Sequence, residues 1–212
     1  EHGDIFGKYG RFMRGSLRGT FYDDALHIPL FIKLPKSMPK KIAGLVQQID
    51  LMPTLLEVLG LKSPINISGK SLLPLIINNK QINSEVFAGL EFNPPNNSFT
   101  IFNKKSTIEA IRTREWKLIR EKLLDNENSP VINNELFNLV SDKEELHNLA
   151  GVKKDVLEDL LFKLDSWSKN VKIKCLCSQS LGPHYSYKGD FVKTINYTDF
   201  FKYKDIDGVI IA

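Results

Sequence analysis

No stretch of this 212-residue chain approaches the apolar length that crosses a bilayer; the longest apolar patch, Ile28 to Leu34, is the size of a strand. Cysteine is scarce, with only Cys175 and Cys177, one residue apart. That spacing is too short for a zinc ribbon, and no histidine follows at ligand distance, so free thiols or a pairing elsewhere are expected ahead of a metal site. Clusters of basic and aromatic residues are also missing. The net charge is only +4 and is spread along the chain, so no nucleic-acid partner is expected. There is no internal repeat and no low-complexity tract. What is present is ordinary globular composition, 42% hydrophobic and 25% charged, enough to bury a core in one large domain or two small ones.

The hydrophobic pattern places the elements. Residues 1 to 20 are polar and rich in glycine and arginine, which reads as an active-site loop following a strand. Leu26 to Leu34 is a continuous apolar run closed by Pro35 and is expected as a buried strand. Asp50 is placed to cap a helix running to about Leu59, with Pro53 in its first turn and Gly60 at its stop. Leu51, Leu55, Leu56 and Leu59 would form its apolar face. Pro64 to Pro74 reads as a loop entering a short helix. Glu85 to Leu90 alternates weakly as a strand, Asn93 to Ser98 is a turn, and Ser106 to Arg112 with Trp116 to Glu121 reads as a hairpin. With Glu135 to Leu139 these predict a small antiparallel sheet. Val152 to Asn170 is expected as a helix, with Val156, Leu160, Leu164 and Trp167 on one face. Cys175 to Asp190 reads as loop, and Phe200 to Tyr203 with Val209 to Ile211 as a terminal hairpin. Asn66, Asn96 and Asn196 head formal glycosylation tripeptides, a pattern common by chance in an Asn-rich chain.

The chemistry-bearing residues begin at the first position. Glu1-His2-Gly3-Asp4 sets a carboxylate and an imidazole beside a glycine, a compact way to hold a cation. Neighbouring ligands on an extended segment point apart, and Gly3 could supply the redirecting turn through positive φ. If this is a metal site, its remaining ligands are expected upstream. The first ten residues, Glu1 to Gly10, resemble the sulfatase segment Ser-Asp-His-Gly-Glu-x-Phe-Gly-Glu-His-Gly of the alkaline-phosphatase-like superfamily. Arg18-Gly19-Thr20-Phe21-Tyr22-Asp23-Asp24 leading to His27-Ile28-Pro29-Leu30 is similar to that family's Lys-Gly-Thr-x-Tyr-Glu-Glu-x-x-Arg-Val-Pro-Leu. Asp50-Leu51-Met52-Pro53-Thr54-Leu55-Leu56 resembles Asp-Leu-x-Pro-Thr-Leu-Leu, and Gly69-Lys70-Ser71-Leu72-Leu73-Pro74-Leu75 resembles Gly-x-Ser-Leu-x-Pro-Leu. Arg112-Thr113 with Trp116-Lys117-Leu118-Ile119 is similar to Arg-Thr-x-x-Trp-Lys-Leu-Ile. Glu135-Leu136-Phe137-Asn138-Leu139, then Asp142, Glu145 and Asn148-Leu149-Ala150, resembles the family's closing segment. Each piece alone is weak; together, in order over residues 1 to 150, they are specific. Residues beyond 150 carry no further match to these motifs.

The resemblance implies an α/β fold: the C-terminal part of an alkaline-phosphatase-like mixed sheet with flanking helices, plus a small antiparallel C-terminal subdomain. It implies a boundary near residue 90, with 1–90 from the catalytic domain and 91–212 the small subdomain and tail. It implies a sulfuric ester hydrolase that uses a calcium ion, or another divalent cation, and a formylglycine nucleophile. Cys177 is followed by Ser178-Gln179 and does not fit the formylglycine context, so no catalytic residue is assigned here and the nucleophile is expected upstream. Glu1 and His2 would be metal ligands, and Arg18 and Tyr9 would contact the substrate, a sulfated small molecule or glycan. Secretion, the periplasm or the lysosome would be the family's compartments; oligomeric state is not written in the sequence.

Departures keep other readings open. Glu1 stands for Asp, Tyr9 for the second His, and Arg18 for Lys. Arg18 could grip an oxyanion with its planar fork but could not donate a proton to a leaving group. Arg18 could equally pair with Asp23 or Asp24, which read as an acidic pair starting a helix. Lys8 reads as a solvated loop residue, and His27, Trp116 and Trp167 as packing residues. A phosphodiesterase, phosphonate monoester hydrolase or phosphoethanolamine transferase of the same superfamily, or a degenerate non-catalytic homologue, would share these features.

Overall fold

The computed structural model describes residues 3–7, 21–35, 38–64, 67–92, 105–124, 130–170, 175–177, 192–194 and 209–211. The chain divides into two compact units. The first comprises Glu1–Leu45, Ser84–Pro94 and Phe99–Leu164, and the second Val46–Asn83, Pro95–Ser98 and Asp165–Ala212.

The first unit is organised on a four-stranded antiparallel meander, β1 (Val86–Phe92), β2 (Lys105–Arg112), β3 (Trp116–Leu124) and β4 (Val131–Asn138), in the order β1-β2-β3-β4. The expected hairpin and small antiparallel sheet are present. Thr113 sets the β2–β3 turn: its N–H donates to the Trp116 carbonyl at 2.8 Å, and its hydroxyl accepts from the Trp116 N–H at 2.9 Å. Register then decides the faces. Ala110 lies opposite Ile119, and Lys117 opposite Phe137, so Ala88, Ile108, Ala110, Ile119 and Phe137 share one face. With Ile5, Phe21, Tyr22 and Leu139 they form the core cluster. Tyr22 and Phe137 meet edge to face, with centroids 6.1 Å apart. The opposite face buries Ile111, Leu118 and Leu136. It also buries Glu109, directly across from Arg120, whose Nη2 and Nε donate to Glu109 Oε2 at 2.7 and 3.0 Å.

Helix α1 (Asp23–Leu26) precedes the sheet, and α4 (Lys154–Asn170) follows it. Leu160 and Leu164 of α4 are buried, as the helical spacing predicts; Trp167 is only half-buried. The run Leu26 to Leu34 is not a strand. Backbone hydrogen bonds from His27 to Asp23 and from Ile28 to Leu26 draw its start into the end of α1. No strand among the described residues lies beside the rest, and Phe31 is 91% exposed. A strand exists only through a partner ladder, and apolar sequence alone does not create one. His27 is exposed and does not pack as expected.

In the second unit a 3₁₀ turn (Gln48–Asp50) leads into α2 (Leu51–Val58), and α3 (Leu73–Asn78) follows. Gly60, at φ 67°, ends α2 in a Schellman arrangement, with Leu61 N–H donating to Leu56 O and Gly60 N–H to Glu57 O. The buried face of α2 is not the expected leucine stripe. Pro53 and Thr54 are buried, while Leu55 and Leu59 are exposed. Three short strands, β5 (Cys175–Cys177), β6 (Val192–Thr194) and β7 (Val209–Ile211), form a parallel sheet in the order β6-β5-β7. Thus Cys175–Cys177 is a central strand rather than loop. Val209–Ile211 pairs in parallel with β5; Phe200 to Tyr203, the other arm of the expected hairpin, lies outside the described residues. No helix among the described residues is long and apolar enough to cross a membrane.

Candidate functional site

Glu1, His2, Lys8, Tyr9 and Arg18 lie outside the described residues, as do Asn96 and Asn196. Among the described residues, no three His, Cys, Asp or Glu side chains gather so as to hold a metal ion. What the structure describes is the frame around Gly3–Gly7.

Gly3 is held against α1. Its N–H donates to the Ala25 carbonyl at 2.9 Å. A Cβ at Gly3 would sit 1.9 Å from Asp24 O and 3.0 Å from Asp24 C, both backbone atoms. Gly3 is not among the positive-φ residues, so its role differs from the expected turn: it permits close approach of two backbones. Two residues on, Ile5 is 1% exposed and belongs to the core cluster.

Helix α1 spans four residues, and its N-cap Tyr22 makes no side-chain cap. So short a helix has no stability of its own, and distant residues hold it. Glu145 Oε2 accepts the Asp23 N–H at 2.6 Å, a cap supplied from 122 positions away. The Tyr22 hydroxyl donates to Glu135 Oε2 at 2.8 Å. Lys117, whose side chain is 1% exposed, places Nζ 2.7 Å from Asp23 Oδ1 and 2.7 Å from Glu145 Oε1. Arg112 Nη2 adds a contact at 3.1 Å to Asp23 Oδ2. Two cations and two carboxylates thus meet in one cluster, with Asp23 drawn from the second motif, Arg112 and Lys117 from the hairpin motif and Glu145 from the closing segment.

The two carboxyls titrate in opposite directions. Burial alone would raise Asp23, but the charges and hydrogen bonds of Lys117 and Arg112 outweigh it and hold the carboxyl below its ordinary range. Burial dominates at Glu145 and pushes it above the ordinary range. Lys117 and the Asp23 N–H offset only part of that, and the charge of Asp23 adds to the rise.

Glu145 reaches the cluster from a constrained turn. Its φ is 54°, a conformation few non-glycine residues adopt. Asp142 builds the turn, with Oδ1 accepting from Leu146 N–H at 3.1 Å and Oδ2 from His147 N–H at 2.8 Å. Asn148 ties the same segment to β4: Oδ1 accepts the N–H of Leu136 and of Ala150, each at 2.9 Å, and Nδ2 donates to Asn134 O at 3.1 Å. The polar residues of the closing segment are therefore backbone anchors.

A second junction lies within the other unit. Asp50 occupies the N-cap position of α2 but does not cap it. Instead Oδ1 accepts the Lys70 N–H at 2.9 Å, and Oδ2 accepts the Gln47 N–H at 2.9 Å and Asn83 Nδ2 at 3.1 Å. The Thr54 hydroxyl donates to Asp50 O at 2.5 Å and accepts the Leu72 N–H at 2.8 Å. A Cβ at Gly69 would fall 1.9 Å from Ile49 O, so only glycine lets these two motifs close on each other. Lys117, Glu145 and Thr54 were quoted above as parts of motifs without roles. Their presence in motifs separated along the chain was the only signal that they converge.

Comparison with known proteins places this frame. The family model for the C-terminal part of N-sulphoglucosamine sulphohydrolase matches residues 9–170, extending the likeness past residue 150 and through α4. Arylsulfatase K of Xenopus laevis is 29% identical over 167 residues, covering 78% of this chain and 30% of that protein. Human arylsulfatase K is 28% identical over 200 residues, covering 91% of this chain and 33% of that protein. The chain therefore spans about a third of the length of the curated relatives it matches. The phosphonate monoester hydrolase of Silicibacter pomeroyi shares the fold, with a TM-score of 0.59 at 22% identity over 79% of this chain and 32% of that one. So does a protein solved in complex with its substrate D-glucosamine-2-N,6-O-disulfate, with a TM-score of 0.57 at 22% identity over the same shares, 79% and 32%. The chain has the α/β fold of the alkaline-phosphatase-like proteins and belongs to the sulfatases, through the family defined by the C-terminal part of N-sulphoglucosamine sulphohydrolase.

Proposed function

We propose that this chain is the C-terminal part of a sulfuric ester hydrolase. The observation that carries the reading is the family match over residues 9–170; the arylsulfatase K relatives add support. In this reading, residues 1–90 belong to the catalytic α/β domain and 91–212 form the smaller subdomain and tail. Glu1 and His2 bind a divalent cation, with calcium the first candidate, whose charge orients the sulfate oxygens and stabilises an anionic nucleophile. The remaining ligands and a formylglycine nucleophile come from upstream sequence. Arg18 grips the sulfate through its planar donors, and Tyr9 donates a hydrogen bond to the substrate. The substrate is a sulfated small molecule or glycan. The neighbour bound to a sulfated glucosamine motivates a sulfated amino sugar as the first candidate.

The test is hydrolysis of 4-nitrocatechol sulfate by the protein carrying its upstream sequence, before and after removal of divalent cations with a chelator. Turnover that vanishes with chelation and returns with calcium is expected, as is loss of at least about 10²-fold in kcat for His2→Ala. Turnover of an aryl phosphonate in place of the sulfate would overturn the sulfatase reading. Absence of both activities and of calcium binding would mark a non-catalytic homologue.

A further inference from the structure

We propose that the buried Lys117 cluster is a positioning network for the Gly3–Gly7 segment, so that the C-terminal sheet controls turnover and not only stability. The proposal rests on the hydrolase reading above, because that segment adjoins Glu1 and His2.

The contacts form a continuous chain. Lys117 on β3 and Glu145 on the closing turn grip Asp23, and Glu145 caps the α1 backbone. Helix α1, unable to hold itself, presents Ala25 O and Asp24 O to Gly3. Gly3 has no room to slide, because backbone atoms of α1 fill the space where a side chain would begin. Ile5, sealed in the core, fixes the segment at a second point. A displacement of α1 therefore moves Gly3, the residue that follows His2 in the sequence.

The chemistry of the cluster favours a geometric role. Burying the charges of Lys117 and Glu145, with Asp23 and Arg112 half-buried beside them, gains little stability over apolar packing of the same volume, since desolvation offsets most of the attraction. Apolar contacts, however, do not fix direction. Here each carboxylate oxygen of Asp23 has its own cation, and one Glu145 oxygen holds the first amide of α1. Such directional contacts define the position of α1 to a fraction of an ångström, the tolerance that active-site groups require.

The test uses the full-length protein with 4-nitrocatechol sulfate, at a temperature where every variant is folded. Lys117→Met is expected to lower kcat by about 10²-fold with KM within about two-fold. Lys117→Arg should recover part of the loss. Gly3→Ala removes no charge from the cluster and should reproduce the fall in kcat from the other end of the chain of contacts, since its Cβ would meet the Asp24 backbone. Leu160→Ala, a buried α4 residue outside the cluster, serves as the destabilised control and should keep kcat. Amide exchange in Gly3–Gly7 should rise about ten-fold in Lys117→Met and not in the control.

A control that loses kcat as severely as Lys117→Met, or exchange in Gly3–Gly7 that Lys117→Met leaves unchanged, overturns the proposal. Where Lys117→Met does not fold, Gly3→Ala decides, and wild-type kcat in that variant overturns it. Where the unsubstituted protein hydrolyses no sulfate ester, the hydrolase reading falls, and the exchange comparison still decides whether Lys117 positions the segment.

Discussion

The two junctions of this protein solve one problem by different means. In the first unit, Asp23, Arg112, Lys117 and Glu145 join three distant motifs through opposite charges, buried at Lys117 and Glu145 and half-buried at Asp23 and Arg112. In the second, Asp50 joins neighbouring segments by accepting N–H groups from Gln47, Lys70 and Asn83. The charged junction spans 94 positions between Asp23 and Lys117, while the Asp50 contacts span at most 33. A junction built on a carboxylate that meets only amide donors fails when that carboxylate is removed, because those donors are then orphaned together. The charged cluster fails when Lys117 is removed, because Glu145 is then left buried without a cation.

That contrast orders the expected effects. Lys117→Met should be the most damaging, at about 3–5 kcal/mol, since it leaves the buried Glu145 without a cation and Asp23 with Arg112 alone; chemical denaturation measures it. A loss under about 1 kcal/mol would show that the cluster relaxes into solvent and would erase the contrast. Asp50→Ala comes next, at about 2–4 kcal/mol, because it orphans three donors at once. Asp50→Asn should recover part of that, since an amide oxygen still accepts. Gly69→Ala should cost about 1–3 kcal/mol, as its Cβ meets the Ile49 carbonyl at 1.9 Å and backbone must shift.

The pH dependence sharpens the comparison further. Glu145 titrates above its ordinary 4.5 in the folded protein, so its contribution is complete below that value and is lost as pH rises through the raised one. Asp23 titrates below its ordinary 3.8, so its contribution is present above that value and is lost as pH falls through the lowered one. Denaturation midpoints measured from pH 3 to 7 should therefore show Glu145→Gln flattening the decline on the higher side. Asp23→Asn should flatten the acid-side decline. An unchanged profile in both variants would mean that the cluster does not couple to protonation. The smallest effect belongs to the exposed pair of Asp159 and Lys163, 2.9 Å apart and one helical turn apart on α4. Lys163→Ala should cost no more than about 0.5 kcal/mol.

Much of the architecture was legible beforehand. The hairpin between β2 and β3, the stop of α2 at Gly60 and the buried leucines of α4 follow from turn chemistry and periodicity, which act over a few residues. The apolar run after Leu26 misled because a strand is a property of two segments, and composition reports only one. The α2 stripe misled for a related reason: burial went to Pro53 and Thr54, where a hydroxyl and a backbone amide dock, not to the side with more leucine. The frame of the candidate site was legible only as motifs in order, with nothing local to say that Asp23 would find Lys117.

Sequence alone determined the family and most of the local elements, since these depend on motif order and short-range pattern. Tertiary structure alone decided that Gly3 serves close approach rather than a turn, that Asp50 ties segments instead of capping a helix, and that Lys117 lies at the centre of a buried cluster. Those roles depend on which groups meet after folding, and the energy of a buried charge is set by its neighbours in space rather than along the chain.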